Sequence, residues 1–248
     1  MSRCRILGIS LEVGNRTELF EKCESLVGIG GVVCTPNPLI LSNSMKNPSL
    51  RRALLSADLL IPDGSGLLPV LRRFSPRAEI LPGVELGKML ALSRPGLSIG
   101  LVGAKEGIAS RAFSALAAEG KDLRPAFLLN GYDTRLSDLL ASLRREKPDL
   151  CFVCLGSPRQ EILMQSLRAY SEKTLFLGLG GSLDVYAGAI RRAPLLFRNL
   201  HLEWLWRMCR EPRRFASLPD LIRFPYLCAR YREENNNFTK NPTPSGKN

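Results

Sequence analysis

A carboxylate at the end of a short apolar strand is the first candidate for chemistry in this sequence. Residues 58–61 predict a buried strand, and Asp63 follows them in a turn that also contains Gly64 and Gly66. In open α/β sheets, ligands bind beyond the carboxyl ends of the strands, where Asp63 would lie. The two glycines carry no side chain, so a substrate or another backbone segment can come close. A single aspartate here is also a common turn former or helix N-cap, so its neighbours must decide.

Polar turns follow three other predicted strands as well. They are Thr35-Pro36-Asn37, Gly156-Ser157-Pro158-Arg159-Gln160-Glu161 and Gly180-Gly181-Ser182-Leu183-Asp184. Because the carboxyl ends of parallel strands lie on one edge of a sheet, we expect these side chains to converge with Asp63. The glycines at 180 and 181 suit a diphosphate held by backbone N–H groups, although a turn that needs positive φ explains them equally well.

The elements that would carry these turns alternate in type along the chain. Strands are predicted at 3–9, 32–35, 58–61, 98–103, 126–129, 149–155 and 174–179, and helices at 17–27, 39–45, 48–56, 67–73, 83–93, 105–118, 135–145 and 158–170. This alternation is typical of a mostly parallel, Rossmann-like sheet with helices on both faces. We therefore predict an α/β protein, followed by a helical C-terminal appendage.

The appendage begins where the strand pattern stops, after Arg191-Arg192-Ala193-Pro194. We predict an α/β core at 1–195, a basic and aromatic helical appendage at 196–232 and a disordered polar tail at 233–248. From residue 191 to residue 232 there are ten arginines against three acids, and the whole chain has a net charge of +12. Such a patch predicts a polyanionic partner, which is a nucleic acid, an anionic bilayer or a phosphorylated substrate.

Two patterns within the appendage narrow this choice. Spacings of three to four residues place Glu203, Arg207, Arg210 and Arg214 on one predicted helix face. Aromatic residues interleaved with arginines suit the interface of a bilayer, and the same composition could serve RNA. No recognisable nucleic-acid-binding motif is present, so membrane contact is favoured and a nucleic-acid partner is not expected.

Several other classes of site find no support in the sequence. The chain has one histidine, and its seven cysteines are scattered and odd in number, which fits a reducing compartment. Cys151 and Cys154 lie three residues apart on an apolar strand, so their side chains point to opposite faces and cannot easily share a metal ion. Neither a G-x-G-x-x-G motif, a P-loop nor an Asp-x-Asp pair is present. Without a membrane-spanning run or a signal peptide, we expect a cytoplasmic protein that has no metal site and no cofactor.

In their order along the chain, these motifs resemble the WecG/TagA/CpsF glycosyltransferase family over roughly residues 5–215. The matching segments are Thr35-Pro36-Asn37, Ala57-Asp58 with Pro62-Asp63-Gly64, Leu101-Val102-Gly103, Gly131-Tyr132, Gly156-x-Pro158-x-Gln160-Glu161, Gly180-Gly181-x-Leu183-Asp184 with Ala187-Gly188, Arg191-Arg192-Ala193-Pro194, and Leu202-Glu203-Trp204-Leu205-x-Arg207 with Glu211-Pro212-x-Arg214. Each segment is modest alone, but the ordered set is hard to obtain by chance.

The resemblance implies a specific reaction. Its members transfer an N-acetylmannosamine-type sugar, with inversion and without a metal ion, from a UDP donor to undecaprenyl-diphosphate-linked N-acetylglucosamine. The products enter teichoic acids, enterobacterial common antigen or other surface glycans. The resemblance casts Asp63 as the general base for the acceptor hydroxyl. It implies substrate-binding roles for Thr35, Asn37 and Gln160 at the sugar, for Gly180, Gly181 and Asp184 near the UDP, and for Arg207 and Arg214 at the diphosphate.

The resemblance also implies that the appendage touches the inner face of the cell membrane, which would make the protein a peripheral membrane protein. Association with further copies of the chain stays open. The alternatives are a nucleotide-sugar-binding protein of the same fold with weakened catalysis and, further off, a basic nucleic-acid-binding protein. Loss of sugar transfer in Asp63→Asn would exclude the first alternative.

The chain departs from the family pattern in two regions. After Glu211-Pro212, Ala216 and Ser217 occupy the place of a further arginine pair, and the other region is near residue 80. Ile80 stands where members commonly carry an arginine, and Glu85 stands where they carry an aspartate. If that arginine assists the leaving group elsewhere, another arginine must do so in this chain, and Arg77 is the candidate nearest in sequence. These departures leave the predicted fold unchanged, but they leave open the exact donor and the appendage's share of catalysis.

Overall fold

The computed structural model describes residues 2–120, 122–191, 193–194, 196–197, 200, 202–210 and 212–240, without the side chains of 207, 212–214 and 232–240. The strands are β1 (Ser2–Ile6), β2 (Ile9–Val13), β3 (Gly31–Cys34), β4 (Leu59–Leu60), β5 (Ser98–Gly103), β6 (Arg124–Leu129), β7 (Leu150–Cys154) and β8 (Leu175–Gly178). The last six form one sheet in the order β4-β3-β8-β7-β5-β6, and every neighbouring pair is parallel. The predicted parallel α/β sheet is confirmed.

Helices connect these strands and follow the last of them. They are α1 (Arg16–Glu24), α2 (Pro38–Lys46), α3 (Pro48–Leu55), α4 (Leu68–Leu71), α5 (Gly83–Ala91), α6 (Ile108–Ala118), α7 (Leu136–Glu146), α8 (Arg159–Leu167), α9 (Ser182–Tyr186), α10 (Glu203–Arg210) and α11 (Leu218–Lys240). Short 3₁₀ helices occupy Ser65–Leu67, Arg168–Tyr170 and Pro212–Ser217. Most helices have the predicted positions to within a few residues.

The N-terminal segment corrects one prediction. Residues 3–9 are not a strand of the parallel sheet, since β1 and β2 form a separate antiparallel hairpin in which Ile6 lies opposite Ile9. Leu7 and Gly8 have φ values of 50° and 79°, the positive values that a two-residue hairpin turn requires. A leucine is unusual at positive φ, so the apolar run gave no local sign of this turn.

Buried apolar side chains cover both faces of the sheet. Cys151 belongs to a cluster with residues of β1, β2, α2 and α3, whereas Cys154 belongs to the cluster formed with α1, α5 and α6. The prediction that these two cysteines point to opposite faces is therefore confirmed. Burial raises the pKa of both thiols above the ordinary cysteine value, so each is a neutral packing group.

The C-terminal helices differ from the prediction in two respects. The expected common face of residues 203, 207, 210 and 214 is interrupted, because α10 ends at Arg210 and a 3₁₀ helix follows. Pro212 cannot donate a helical hydrogen bond, which explains the break. Helix α11 continues past residue 232, where the disordered tail was predicted to begin, since no proline or glycine stands between Pro225 and Pro242. Residues 241–248 lie outside the described part of the chain.

Helix α11 packs against the α/β core. The side chain of Phe224 is only 1% exposed and joins the apolar cluster that contains Leu41 of α2. An ion pair of 2.8 Å between Lys46 Nζ and Asp220 Oδ1 ties the same two helices together. The core that supports the sheet thus includes part of the predicted appendage.

Candidate active site

A cavity of about 910 Å³ lies at the carboxyl ends of β3, β4 and β8. These three strands are neighbours in the sheet, so the turns that follow them come together as predicted. The start of α5 and the C-terminal helices α10 and α11 complete its walls. Of the residues predicted for the site, Asn37, Asp63 and Gly181 line this cavity.

Asp63 is held in the cavity wall by backbone contacts on two sides. Its N–H donates to Pro36 O at 3.1 Å, which joins the turn after β4 to the turn after β3. Its Oδ2 accepts a hydrogen bond from the N–H of Gly83, the first residue of α5, at 3.4 Å. Gly64 has a φ of 87° and leads into the 3₁₀ helix Ser65–Leu67, which has no side-chain cap. Asp63 is therefore not the N-cap of the helix that follows it, and its half-buried carboxylate belongs to the cavity.

Asn37 combines a structural contact with a place in the cavity lining. Its Oδ1 accepts a hydrogen bond from Ile40 N–H at 3.0 Å, and so caps the N-terminus of α2. The capping bond uses one lone pair of the side-chain oxygen, and the amide nitrogen can donate to a ligand. The cap also fixes the orientation of the side chain next to Asp63.

Thr35 and Gln160 lie beneath the cavity and are not part of its lining. Thr35 Oγ1 donates to Gly178 O at 2.9 Å, so it joins the ends of β3 and β8. Gln160 is 3% exposed, and its Oε1 accepts a hydrogen bond from Gly180 N–H at 2.9 Å. Both side chains position the turn after β8 rather than facing the cavity directly.

Glu161 is the most deeply buried carboxyl group near the site, at 1% exposure. Gln160 Nε2 donates to its Oε1 at 2.9 Å, which completes the link from Glu161 through Gln160 to Gly180. Its Oε2 is buried without a hydrogen-bond partner in the described part of the molecule. Burial raises the pKa of Glu161 above the ordinary value, and the hydrogen bond from Gln160 opposes that rise only in part.

The remaining predicted residues fall into two groups. Gly180 and Asp184 do not line the cavity, whereas Ser182 between them does, although the sequence did not single it out. Asp184 lies half-buried in α9, and its carbonyl accepts a hydrogen bond from Ile190 N–H at 3.0 Å. Arg207 belongs to α10 and Arg214 to the 3₁₀ helix after it, but both side chains lie outside the described residues.

A second part of the lining, which we call the C-terminal wall, is largely apolar and comes from the C-terminal segment. Its side chains include Trp204, Trp206, Met208, Leu218, Leu221, Ile222 and Phe224. Outside the cavity, the same segment exposes Leu196, Leu200, Phe215 and Tyr226. None of the helices that the structure describes is both long enough and apolar enough to cross a bilayer.

Metal binding and thiol chemistry are two further possibilities for the described residues. They contain no group of three or more His, Cys, Asp or Glu side chains placed to hold a metal ion. Cys34, which directly precedes Thr35, is fully buried at the end of β3. Burial raises the pKa of its thiol well above the ordinary value, so Cys34 is a neutral group and not a nucleophile.

A model described as "Glycosyl transferase WecG/TagA/CpsF family" matches residues 4–237, which is nearly the whole chain. The chain belongs to this family. The resemblance that the ordered motifs indicated is thereby confirmed, and it extends through α10 and most of α11. In this WecG/TagA/CpsF family member, the cavity with Asp63 is the candidate active site.

Two curated relatives carry the name N-acetylglucosaminyldiphosphoundecaprenol N-acetyl-beta-D-mannosaminyltransferase. The one from Bacillus subtilis (strain 168) is 30% identical over 219 residues, which cover 87% of this chain and 85% of the relative. The one from Bacillus spizizenii (strain ATCC 23059 / NRRL B-14472 / W23) is 29% identical over 199 residues, which cover 78% and 77%. These matches do not favour either alternative from the sequence analysis, which were a nucleotide-sugar-binding protein with weakened catalysis and a basic nucleic-acid-binding protein.

The cavity also shows which arginines accompany Asp63 in this family member. Among the residues whose side chains are described, the basic ones in its lining are Arg16, Arg72 and Arg191. Arg77, the suggested substitute for the family arginine, is exposed and does not line the cavity. Sequence reasoning missed Arg16 and Arg72. Only the packing of distant elements brings Arg16 to the cavity, whereas Arg72 is the C-cap of α4, which follows the Asp63 turn directly. No local motif marks either residue.

Proposed function

We propose that this protein is an inverting, metal-independent glycosyltransferase. It transfers N-acetylmannosamine from a UDP donor to N-acetylglucosamine carried on undecaprenyl diphosphate. The observation that carries the proposal is Asp63 in the wall of a large cavity at the carboxyl edge of the sheet. Family membership and the names of two relatives supply the sugar and the lipid-linked acceptor.

Asp63 acts as the general base in this reaction. The acceptor hydroxyl oxygen attacks the anomeric carbon of the donor, and its proton passes to the Asp63 carboxylate. The bond between the anomeric carbon and the diphosphate oxygen breaks, and UDP leaves with the bonding electron pair. The contact between Gly83 N–H and Asp63 Oδ2 orients the carboxylate for this role. Proton transfer to a positioned base contributes typically about 10²- to 10⁴-fold in rate.

The rest of the cavity suits the two substrates. Guanidinium groups in the lining can balance the negative charge of a departing diphosphate, because arginine binds phosphate oxygens through paired hydrogen bonds. The apolar wall offers Trp204, Leu221 and Ile222 to the isoprenoid chain next to the acceptor diphosphate. Exposed rings of the same segment, with its arginines, would hold the enzyme on the inner face of the cell membrane.

The test is transfer of labelled sugar from UDP-N-acetylmannosamine to a lipid-diphosphate-linked N-acetylglucosamine. We expect product from the wild type and a rate about 10²- to 10⁴-fold lower from Asp63→Asn. Asp58→Asn is the matched control, because Asp58 lies before the same strand and binds Val32 N–H and Arg168 instead of lining the cavity. It should keep its activity per folded molecule. Equal rates for Asp63→Asn and the wild type would overturn the assignment of Asp63 as the base. If the wild type formed no product with any UDP-sugar, the better interpretation would be a nucleotide-sugar-binding protein with weakened catalysis.

Metal independence is tested by chelation. We expect EDTA to leave the transfer rate of the wild type unchanged, because in the proposed mechanism arginine side chains and backbone N–H groups stabilise the diphosphate. The measurement compares initial rates with and without EDTA, with added Mg²⁺ as the restoring control. A large loss on chelation that Mg²⁺ restores would contradict the mechanism and would place a metal ion at the diphosphate.

A further inference from the structure

Arg16 lies unexpectedly close to Ile80, the position at which the chain departs from the family pattern. Arg16 is the first residue of α1, yet both it and Ile80 line the cavity that contains Asp63. Its backbone N–H donates to Glu79 Oε2 at 2.9 Å, and its guanidinium Nη2 pairs with Glu85 Oε2. Arg16 is thus tied to residues on both sides of Ile80.

Residues 79–81 connect the start of α1 to the turn that carries Asp63. The N–H of Glu79 donates to Gly14 O at 3.0 Å, and the N–H of Leu81 donates to Pro62 O at 3.0 Å. Ile80 therefore lies between the residues before α1 and the turn that contains the proposed base. Hydrogen bonds between backbone groups fix the position of residues 79–81, so this position does not depend on the conformation of a surface side chain.

Helix α5 ties Arg16 to Asp63 by a second route. Its first residue, Gly83, donates to Asp63 Oδ2 at 3.4 Å, and Glu85 in its first turn holds the Arg16 guanidinium. The start of α1, which carries Arg16, is also fixed, because Asn15 caps this helix by accepting a hydrogen bond from Glu18 N–H at 3.0 Å. Two helix starts hold the guanidinium and the carboxylate in one wall.

The Arg16 guanidinium retains capacity for an anion. The ion pair with Glu85 engages one of its three nitrogens, Nη2, and the side chains of Arg16 and Glu85 are 41% and 26% exposed. A guanidinium offers five N–H donors in a plane that matches the oxygens of a phosphate. Glu85 orients one edge of this plane, which leaves the other donors for a ligand in the cavity.

We propose that Arg16 binds a substrate diphosphate beside Asp63. The inference rests on the proposed function, in which the UDP donor and the lipid-linked acceptor each carry a diphosphate. It deepens that function by naming Arg16, a residue of α1, as a positive charge that binds the diphosphate. Ile80, which stands where family members commonly carry an arginine, has no charge to do so. Glu85 acts as the positioning residue for the Arg16 guanidinium.

The first measurement is UDP binding by isothermal titration calorimetry. We expect Arg16→Ala to weaken UDP binding by about 10- to 100-fold, the usual effect of losing a hydrogen bond to a charged group. Uridine, which has no phosphate, should bind equally to both proteins. Arg77→Ala is the matched control, since Arg77 is exposed and outside the cavity lining, and it should bind UDP as the wild type does. An equal loss of UDP and uridine affinity in Arg16→Ala would overturn the proposal.

Steady-state kinetics then distinguish the two diphosphates. If Arg16 binds the donor, Arg16→Ala raises the KM for the UDP-sugar together with the loss of UDP affinity. If it binds the acceptor, UDP affinity stays unchanged and the KM for the lipid-linked acceptor rises by about 10-fold or more. Unchanged affinity and unchanged KM values for both substrates would refute the assignment.

A double variant separates direct binding from charge neutralisation. Arg16→Ala removes one cationic partner of Glu85 in the cavity, so the Glu85 carboxylate would repel a diphosphate more strongly than in the wild type. Glu85→Gln in the Arg16→Ala background removes the repulsion. We expect the double variant to remain at least about 10-fold weaker than the wild type for the substrate affected. Full recovery would show that Arg16 only neutralises Glu85, which overturns direct binding.

The proposed function and the Arg16 inference fail in different ways. A wild type that binds no UDP refutes the UDP donor and, with it, the basis for the inference. A wild type that transfers sugar, beside an Arg16→Ala variant of the same affinities and KM values, refutes the inference alone.

Discussion

The two walls of the cavity are built in different ways. The wall at the sheet edge places its polar groups through backbone contacts, such as Asp63 N–H to Pro36 O and Gly83 N–H to Asp63 Oδ2. The C-terminal wall comes from α10 and α11 and presents mainly apolar side chains, among them Trp204 and Ile222. Backbone contacts fix positions more tightly than surface side chains do, which suits bond-making chemistry. We infer that the sheet edge carries the reaction and that the C-terminal wall binds the substrate.

The largest expected effect tests whether the C-terminal wall is part of the folded core. Phe224→Ala should lower the free energy of unfolding by about 3–5 kcal/mol, because the ring is 1% exposed and its removal leaves a cavity. Urea denaturation measures this loss. Ile222→Ala is the control on the same helix, where a 70% exposed side chain should change stability by less than about 0.5 kcal/mol. A loss below about 1 kcal/mol for Phe224→Ala would mean that α11 is only loosely attached to the core.

An effect of intermediate size tests whether the hydrogen bonds of Gln160 hold the turn after β8 in place. Gln160→Ala removes the acceptor for Gly180 N–H and the donor to Glu161, so we expect a loss of about 1–3 kcal/mol in stability. The displaced turn after β8 should also lower kcat for sugar transfer by at least about 10-fold. Urea denaturation and initial rates measure the two effects.

The control for this variant lies on the same helix. Gln165→Ala removes a hydrogen bond of 3.0 Å from Gln165 Nε2 to Ala53 O, away from the cavity. It should lower stability modestly and leave kcat unchanged. If both variants lower kcat equally, the turn after β8 has no special part in the reaction.

The smallest effect concerns the carboxyl group buried behind the sheet-edge wall. Burial raises the pKa of Glu161 in the folded state above its ordinary value of 4.5, so the folded protein holds this proton more tightly than the unfolded chain. Its contribution to stability is complete below the unfolded pKa and is lost as the pH rises through the folded pKa. Glu161→Gln should therefore gain stability over the wild type as the pH increases from acidic to neutral.

Urea denaturation across that pH range measures the difference between the two proteins. Glu172→Gln, at an exposed position three residues before β8, is the control variant for removal of a carboxylate at the surface. A difference between Glu161→Gln and the wild type that does not change with pH would contradict the raised pKa.

Features that depend on neighbouring residues were predicted well. The bounds of β5, Ser98–Gly103, match the prediction. The helix predicted at 48–56 begins at Pro48, and its N-cap is Asn47. Its Oδ1 accepts a hydrogen bond from Leu50 N–H at 3.0 Å. Hydrophobic periodicity and capping are local, so a short stretch of sequence contains them. The hairpin turn at Leu7 escaped prediction because its residue type is rare at positive φ.

The sequence by itself determined the alternation of strands and helices, the polar turns at the strand ends and the family. Only the tertiary structure decided that β3, β4 and β8 lie side by side, that Arg16 joins Asp63 in one cavity and that Phe224 belongs to the core. Strand order and helix docking follow from the burial of apolar surface between segments far apart in the chain. That burial has no period or cap that a local stretch of sequence could show.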